Sequence, residues 1–220
     1  MYPHKLCSRF LLLSLLAGAG AAFADPLYSV TFLPQDFYAA GINNNGQVVG
    51  TAAGGAAIWS SPSSLTSLGT LLPGSEGLGI NNHGDIVGRY GDNAFVYAGG
   101  VATSIVTDTP SWATGINDAG QVTGTASNTS IGGPQSGWLY SGGATTYFAH
   151  DYPYSGENFA NAINNGGVVV GTFSYGGHWS NPDREAFTLT LPGDGTLRGR
   201  GTLGGTISEG EDINDAGAFV

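Results

Sequence analysis

Methionine, lysine and cysteine each occur once in this chain, as Met1, Lys5 and Cys7, all within the first seven residues. Past that point no disulfide, thiol nucleophile or cysteine-held metal can form. Positive charge is nearly as scarce. Beyond residue 24 it rests on Arg89, Arg184, Arg198 and Arg200, against 16 carboxylates, a formal charge of −12 with His neutral. A nucleic-acid surface needs clustered Lys and Arg over the phosphates, and this chain has none to cluster. Attraction to an anionic membrane surface is disfavoured for the same reason. Long apolar runs are missing too. Outside the leader nothing approaches the roughly 20 apolar residues of a membrane-spanning helix, and no window carries a helical period.

The one apolar run is short and belongs to a leader. Lys5 and Arg9 make a positive start, Phe10–Leu16 continues through Ala17 as an apolar core, and Ala22-Phe23-Ala24 fits a small-x-small cleavage site. That arrangement predicts a secretory signal peptide over 1–24 and a mature, soluble chain opening at Asp25. Cys7 precedes the apolar core rather than standing at the cleavage point, which argues against lipid attachment. About 196 residues then remain to bury a core as one domain. Their 36 glycines are interleaved with aromatic and β-branched residues, so they read as turns and close strand packing rather than as disorder.

What the chain does have is one phrase written five times. Gly41-Ile42-Asn43-Asn44-Asn45-Gly46-Gln47-Val48-Val49-Gly50 returns as Gly79–Gly88, Gly115–Gly124 and Ala162–Gly171, and again as Asp212–Val220. Successive isoleucines (Ile42, Ile80, Ile116, Ile163, Ile213) are 38, 36, 47 and 50 residues apart. A period of that size means a propeller, solenoid or array whose units bury their apolar faces on one another.

Each repeat reads as four short strands. Asn at the first turn position and Gly at the fourth is type I turn chemistry, with the glycine taking the left-handed backbone that returns the chain to a strand. β-Hairpins are therefore expected near 39–51, 77–89, 113–125, 160–172 and 210–220, with the isoleucines buried and the Asn-x-x-Gly segments exposed. Third strands are expected at Ala56–Trp59, Ala94–Tyr97, Gly137–Tyr140 and Ala186–Leu189, with side chains alternating between faces. Leu65–Leu68, Ser67–Leu71 and Arg200–Gly204 read as fourth strands. The expected architecture is an all-β, propeller-like array of about five four-stranded antiparallel repeats over 25–220. Leu27–Leu33 has the character of a fourth strand before the first hairpin. The fifth repeat breaks off at Val220 in its second strand, so the reading includes a natural product that continues beyond it.

The composite of Leu-Gly-Thr-Leu, Gly-Ile-Asn-x-x-Gly-x-Val-Val-Gly and Ala-Phe-Val-Tyr resembles the HAF family of bacterial extracellular repeats. Leu203–Ser208, leading to Asp212-Ile213-Asn214, is similar to that family's junction between units. Ala162 and Asp212 stand where glycine is usual, and Thr123 replaces a valine. The resemblance implies an exported bacterial protein of propeller-like repeats, often with a C-terminal surface-sorting signal. It brings no catalytic residues, because the family has none established.

Reactive constellations are sparse. There is no Gly-x-Ser-x-Gly elbow, and His83, His150 and His178 show no His-x-x-x-His spacing for a metal. His83 occupies a turn position filled by Asn45 or Ala119 in sister repeats. Glu209–Asp215 is the densest acidic run and offers the oxygen ligands calcium takes, without the Asp-x-Asp-x-Asp-Gly pattern. Paired carboxylates for glycoside hydrolysis would have to come from Glu76, Asp85, Asp118 or Glu157, none marked above the others. The inserts Ala126–Gln135, Asp151–Glu157 and Ser174–Asp183 carry Tyr152, Tyr154, Tyr175 and Trp179, residues suited to stacking on sugars or gripping a partner.

The function these features point to is a secreted or cell-surface, non-catalytic interaction module for a surface protein or polysaccharide. It has no catalytic, cofactor or metal residues and no cofactor. The runner-up is a propeller enzyme or lectin-like domain acting on extracellular polysaccharide.

Overall fold

The computed structural model describes residues 30–60, 64–127, 135–148, 156–174, 184–190, 197, 199–202 and 204–220. The chain divides into Met1–Phe32 and Leu33–Val220. Of the first, the described residues Val30–Phe32 hold no strand, so the strand expected over Leu27–Leu33 is not found in its described part. All fifteen named strands lie in the second, and the described residues contain no helix.

The repeats fold as separate antiparallel meanders. The first comprises β1 (Tyr38–Ile42), β2 (Val48–Ala52), β3 (Gly55–Ser60) and β4 (Ser64–Ser67), paired in chain order. The second comprises β5 (Glu76–Ile80), β6 (Ile86–Tyr90), β7 (Asn93–Ala98) and β8 (Val101–Val106). The third comprises β9 (Ser111–Ile116), β10 (Val122–Ala126), β11 (Ser136–Ser141) and β12 (Ala144–Tyr147). The fourth is a three-stranded sheet of β13 (Asn158–Ile163), β14 (Val168–Ser174) and β15 (Arg184–Thr190), where a single bridge from Phe187 to Gly199 stands in place of a fourth strand. In the fifth, Ile213 and Phe219 form one antiparallel bridge.

The first four repeats form the hairpins β1–β2, β5–β6, β9–β10 and β13–β14, the fifth has a single bridge across its turn, and all five turns are built alike. In each, the glycine amide donates to the carbonyl of the first Asn, as in Gly46 N to Asn43 O at 3.0 Å and Gly120 N to Asn117 O at 3.0 Å. The glycines Gly46, Gly84, Gly120, Gly167 and Gly217 have φ between 73° and 85°, where side chains are rarely tolerated.

The glycine closing the phrase is required for a different reason. Each first strand carries a β-bulge that leaves one residue unpaired: Ala40, Leu78, Thr114 or Asn161. The bulge leans a carbonyl over the second strand. A Cβ on Gly50, Gly88, Gly124 or Gly171 would overlap the oxygen of Tyr38, Glu76, Trp112 or Phe159. In three repeats an aromatic ring on the third strand pairs with that glycine and covers it: Phe95 on Gly88, Trp138 on Gly124 and Phe187 on Gly171.

Among the described residues no single core runs through all the repeats. Its apolar clusters sit between neighbouring repeats. Val49, Ala56 and Leu68 of the first meet Ile86 and Phe95 of the second. Val87, Ala94 and Val106 of the second meet Ile116, Val122 and Trp138 of the third. Leu139 and Phe148 of the third meet Val169, Phe187 and Leu189 of the fourth, and the Phe148 and Phe187 rings touch edge-on with centroids 6.1 Å apart.

Three expectations need correction. Ile116, Ile163 and Ile213 are buried and Ile80 is half-buried, but Ile42 is 70 % exposed. Later isoleucines are covered by the preceding repeat, and no described repeat precedes the first. The fourth strand of the first repeat is Ser64–Ser67, not Ser67–Leu71; Leu68 instead accepts from the amides of Leu71 and Leu72 and begins a turn. The leading Asn of each turn, expected in solvent, is buried in the first four repeats.

The two kinds of glycine separate in a stability test. Gly120→Ala strains only the backbone and should cost about 1 kcal/mol. Gly124→Ala collides with Trp112 O and the Trp138 ring, and should cost about 3 kcal/mol or more in chemical denaturation. Equal losses would rule out this account of the bulge.

Candidate functional site

The first strands and turns of the first four repeats, with Glu211–Asp215 of the fifth, line one cavity of about 600 Å³. What holds those strands around a common space is a ladder of side-chain amides. Asn43 Nδ2 donates to Asn81 O at 2.9 Å, Asn81 Nδ2 to Asn117 O at 3.3 Å, Asn117 Nδ2 to Asn164 O at 3.1 Å, and Asn164 Nδ2 to Asn214 O at 3.0 Å. Each link joins one repeat to the next.

The same asparagines also shape their own turns. Asn117 Oδ1 accepts from the amides of Ala119 and Gln121 at 3.1 and 3.0 Å, while its Nδ2 makes a second bond to Gln121 Oε1 at 2.8 Å. Asn43 and Asn81 repeat this pattern, with Gln47 and Asp85 taking the place of Gln121. An amide whose two donors and two acceptor sites are all used can be buried without penalty, which is why these residues are not in solvent.

A second rail runs one residue further along. The amides of Asn44, Asn82, Asp118 and Asn165 donate to Oδ1 of Asn82, Asp118, Asn165 and Asp215, at 2.8 to 2.9 Å. Asp118 is its centre, because its other oxygen accepts from Asn82 Nδ2 at 2.8 Å and Asn165 Nδ2 at 3.0 Å. Asn165 Nδ2 also reaches Asp215 Oδ2 at 3.1 Å, so one amide bridges carboxylates of the third and fifth repeats. The hydrogen bonds from the Asn82 side chain and then its backbone hold the Asp118 carboxyl below its ordinary range; burial opposes them, and the Asn165 amide and the nearby His83 add lesser effects in the lowering direction.

Of the four candidate carboxylates, only Asp118 lines the cavity. Asp85 is tied to Asn81 Nδ2 at 2.9 Å within its own turn, Glu76 is exposed opposite Arg89, and Glu157 is buried away from the cavity lining. His83 is a turn residue, as its position suggested, and its amide bonds Asn81 Oδ1 at 3.0 Å. His150, His178, Tyr152, Tyr154, Tyr175 and Trp179 lie outside the described residues.

In the acidic run Glu209–Asp215, Glu209 pairs with Arg184, Asp212 Oδ1 accepts the Ile213 amide at 2.8 Å, and Asp215 belongs to the ladder. Among the described residues no group of three His, Cys, Asp or Glu is placed to hold a metal ion. Nor, among them, is any helix long and apolar enough to cross a membrane.

One set of residues went unnoticed in the sequence. Ser75, Ser111, Asn158 and Ser208 each stand four residues ahead of the phrase and latch the third strand of the preceding repeat. They accept from the amides of Ala56, Ala94, Gly137 and Ala186 at 2.6 to 3.0 Å. The signal was available as a hydroxyl or amide residue recurring at a fixed distance from the phrase.

No protein-family model matches the chain, and no curated protein is similar to it.

Asn117→Asp keeps the turn's acceptor but loses both donors and aims a carboxylate at Asn164 O and Gln121 Oε1. It should cost about 3 kcal/mol, against less than about 1 kcal/mol for Asn45→Asp, whose amide makes one exposed bond. Similar losses in the two variants would show that the ladder is incidental.

The lowered Asp118 carboxyl sets the sign of a pH effect. Its contribution is present above the unfolded value of about 3.9 and is lost as pH falls through the lower folded value. Asp118→Asn should be less stable than the parent at pH 7, and the two melts should converge towards pH 2. A gap that stays constant across that range would contradict this.

Proposed function

We infer that this chain is an exported bacterial repeat protein of propeller-like build, acting as a non-catalytic surface or matrix interaction module. The leader over 1–24 supports export, and the resemblance to HAF repeats supports an extracellular setting. The propeller-like arrangement is supported by three features together. The first strands of four repeats and the matching segment Glu211–Asp215 of the fifth line one cavity, strand order within each sheet follows the chain, and apolar clusters join each of the first four repeats to its neighbour.

The non-catalytic reading is carried by one observation: Asp118, the sole cavity-lining member of the candidate carboxylates, is committed to the ladder. Both its oxygens accept hydrogen bonds, and its acidity is shifted towards the permanently charged form. A general acid needs the opposite shift, held protonated near neutrality until it donates.

The glycosidase reading does have a point in its favour, since Asp118 and Asp215 come from different repeats to one cavity. The Asn165 amide bridges them, so an oxygen of each carboxylate is already engaged by a protein donor. Among the described residues, none that lines the cavity carries an aromatic ring on which a sugar could stack.

A screen of the purified protein against polysaccharides and simple esters is expected to show no turnover. Turnover abolished by Asp118→Asn in a protein that remains folded would replace this reading with the enzymatic one.

A further inference from the structure

The cavity is chemically two-sided. Ile116, Ile163 and Ile213 of the later repeats line it but are buried, so the apolar side chains open to it are those of the first two repeats, Ile42, 70 % exposed, and the half-buried Leu78 on its bulge. The third and fifth bring carboxylates: Asp118, Glu211, Asp212 and Asp215. Among the described residues no Lys, Arg or His lines it. Arg184, in the adjoining cleft beside Glu211, is paired with Glu209. An exposed apolar wall and several carboxylates without a cation among the lining residues set two requirements on an occupant. It must carry positive charge to meet the carboxylates, and an aliphatic portion to cover Ile42 and Leu78.

We propose that this cavity binds an alkylammonium group, the chemistry shared by the lysine side chain of a partner protein and by a free polyamine. The proposal rests on the reading of the cavity as an interaction site and gives that site its ligand class. An ammonium on a flexible aliphatic stem suits separated carboxylates better than a planar guanidinium, which seeks a single bidentate partner. A small inorganic cation would satisfy the charge and leave the apolar wall uncovered. Glu211 and Asp212 are the principal contacts, because both are exposed and neither is a rung of the ladder, whereas Asp118 and Asp215 are already committed to hydrogen bonds.

The test is an amide-shift titration of the ¹⁵N-labelled protein by NMR with spermidine, with the peptide acetyl-Gly-Lys-Gly-amide, and with magnesium chloride at matched ionic strength. Saturable shifts are expected for both amines at Leu78–Ile80 and Glu211–Asp215. Tighter binding of the peptide identifies a protein lysine as the natural source, and tighter binding of spermidine a polyamine. Glu211→Gln combined with Asp212→Asn should weaken binding at least about tenfold, and Leu78→Ser by a smaller factor. Glu211→Gln alone leaves the Asp212 contact to the Ile213 amide untouched, and should give an intermediate loss if the double variant fails to fold. Absence of saturable shifts, equal shifts with magnesium, or unchanged binding by the variants would overturn the proposal. None of those results bears on whether the protein is a catalyst, and turnover in the hydrolase screen would overturn the non-catalytic reading while leaving the amine titration to stand or fall by itself.

Discussion

The structure depends on what a buried asparagine can do and its isosteres cannot. The leading Asn of each turn needs an acceptor oxygen pointing back into its own turn and a donor pointing out to the next repeat. Its Oδ1 collects amides two and four residues ahead, as Asn43 does from Asn45 and Gln47, and Nδ2 goes to the neighbouring carbonyl. Aspartate would supply the first function and fail the second, while leucine of similar size would fail both and strand the turn amides. Turn formation and docking of one repeat on the next are thus joined in a single side chain. A repeat whose hairpin is misfolded has no donor to offer its neighbour.

The apolar contacts have the same nearest-neighbour character. Three clusters occupy the three gaps between the first four repeats, and none spans more than two of them. Stability in such an array is approximately a sum over repeats and their interfaces, so burial falls where a neighbour is lacking. The isoleucine series records this, from 70 % exposure at Ile42 to 8 % at Ile116 and Ile163. The Ser and Asn latches reinforce it, each fixing the third strand of one repeat to the residue that opens the next.

Features that depend on a few adjacent residues were legible in the sequence. Asn-x-x-Gly followed by β-branched residues specifies a turn and a strand through local sterics, and the hairpins are where that chemistry places them. Third strands were legible because alternation on a pleated sheet is also local. The ladder was not, because its partners are 36 to 50 residues apart and nothing in one repeat says that its Asn serves the next. Polarity alone put those residues in solvent. The segment Ser67–Leu71 was misread for a related reason: Leu-Gly-Thr-Leu has strand-like composition, yet Leu68 is buried and starts a turn. At the cavity, Asp118 was singled out without a reason to prefer it, since its three hydrogen bonds come from two other repeats.

Where variation is tolerated follows from where the scaffold is saturated. The first Asn, the turn glycine and the closing glycine leave little freedom, because each meets a demand of hydrogen bonding, backbone angle or space. The bulge adds one residue per repeat that pairs with nothing across the strands, and all of these line the cavity: Ala40, Leu78, Thr114 and Asn161, with Glu211 at the same place in the fifth. Their side chains run from methyl to isobutyl, hydroxyl, carboxamide and carboxylate, although the backbone around them hardly changes. Bulges commonly re-aim a side chain towards a site, and here the device is repeated so that each repeat contributes one substituent to a shared wall. Chemistry at that wall can therefore differ between repeats while the asparagine ladder stays the same. The separation is incomplete at two positions: Thr114 Oγ1 donates to Ala160 O and Asn161 Nδ2 to Gly210 O, each at 2.7 Å, so there the wall residue also docks its repeat on the next.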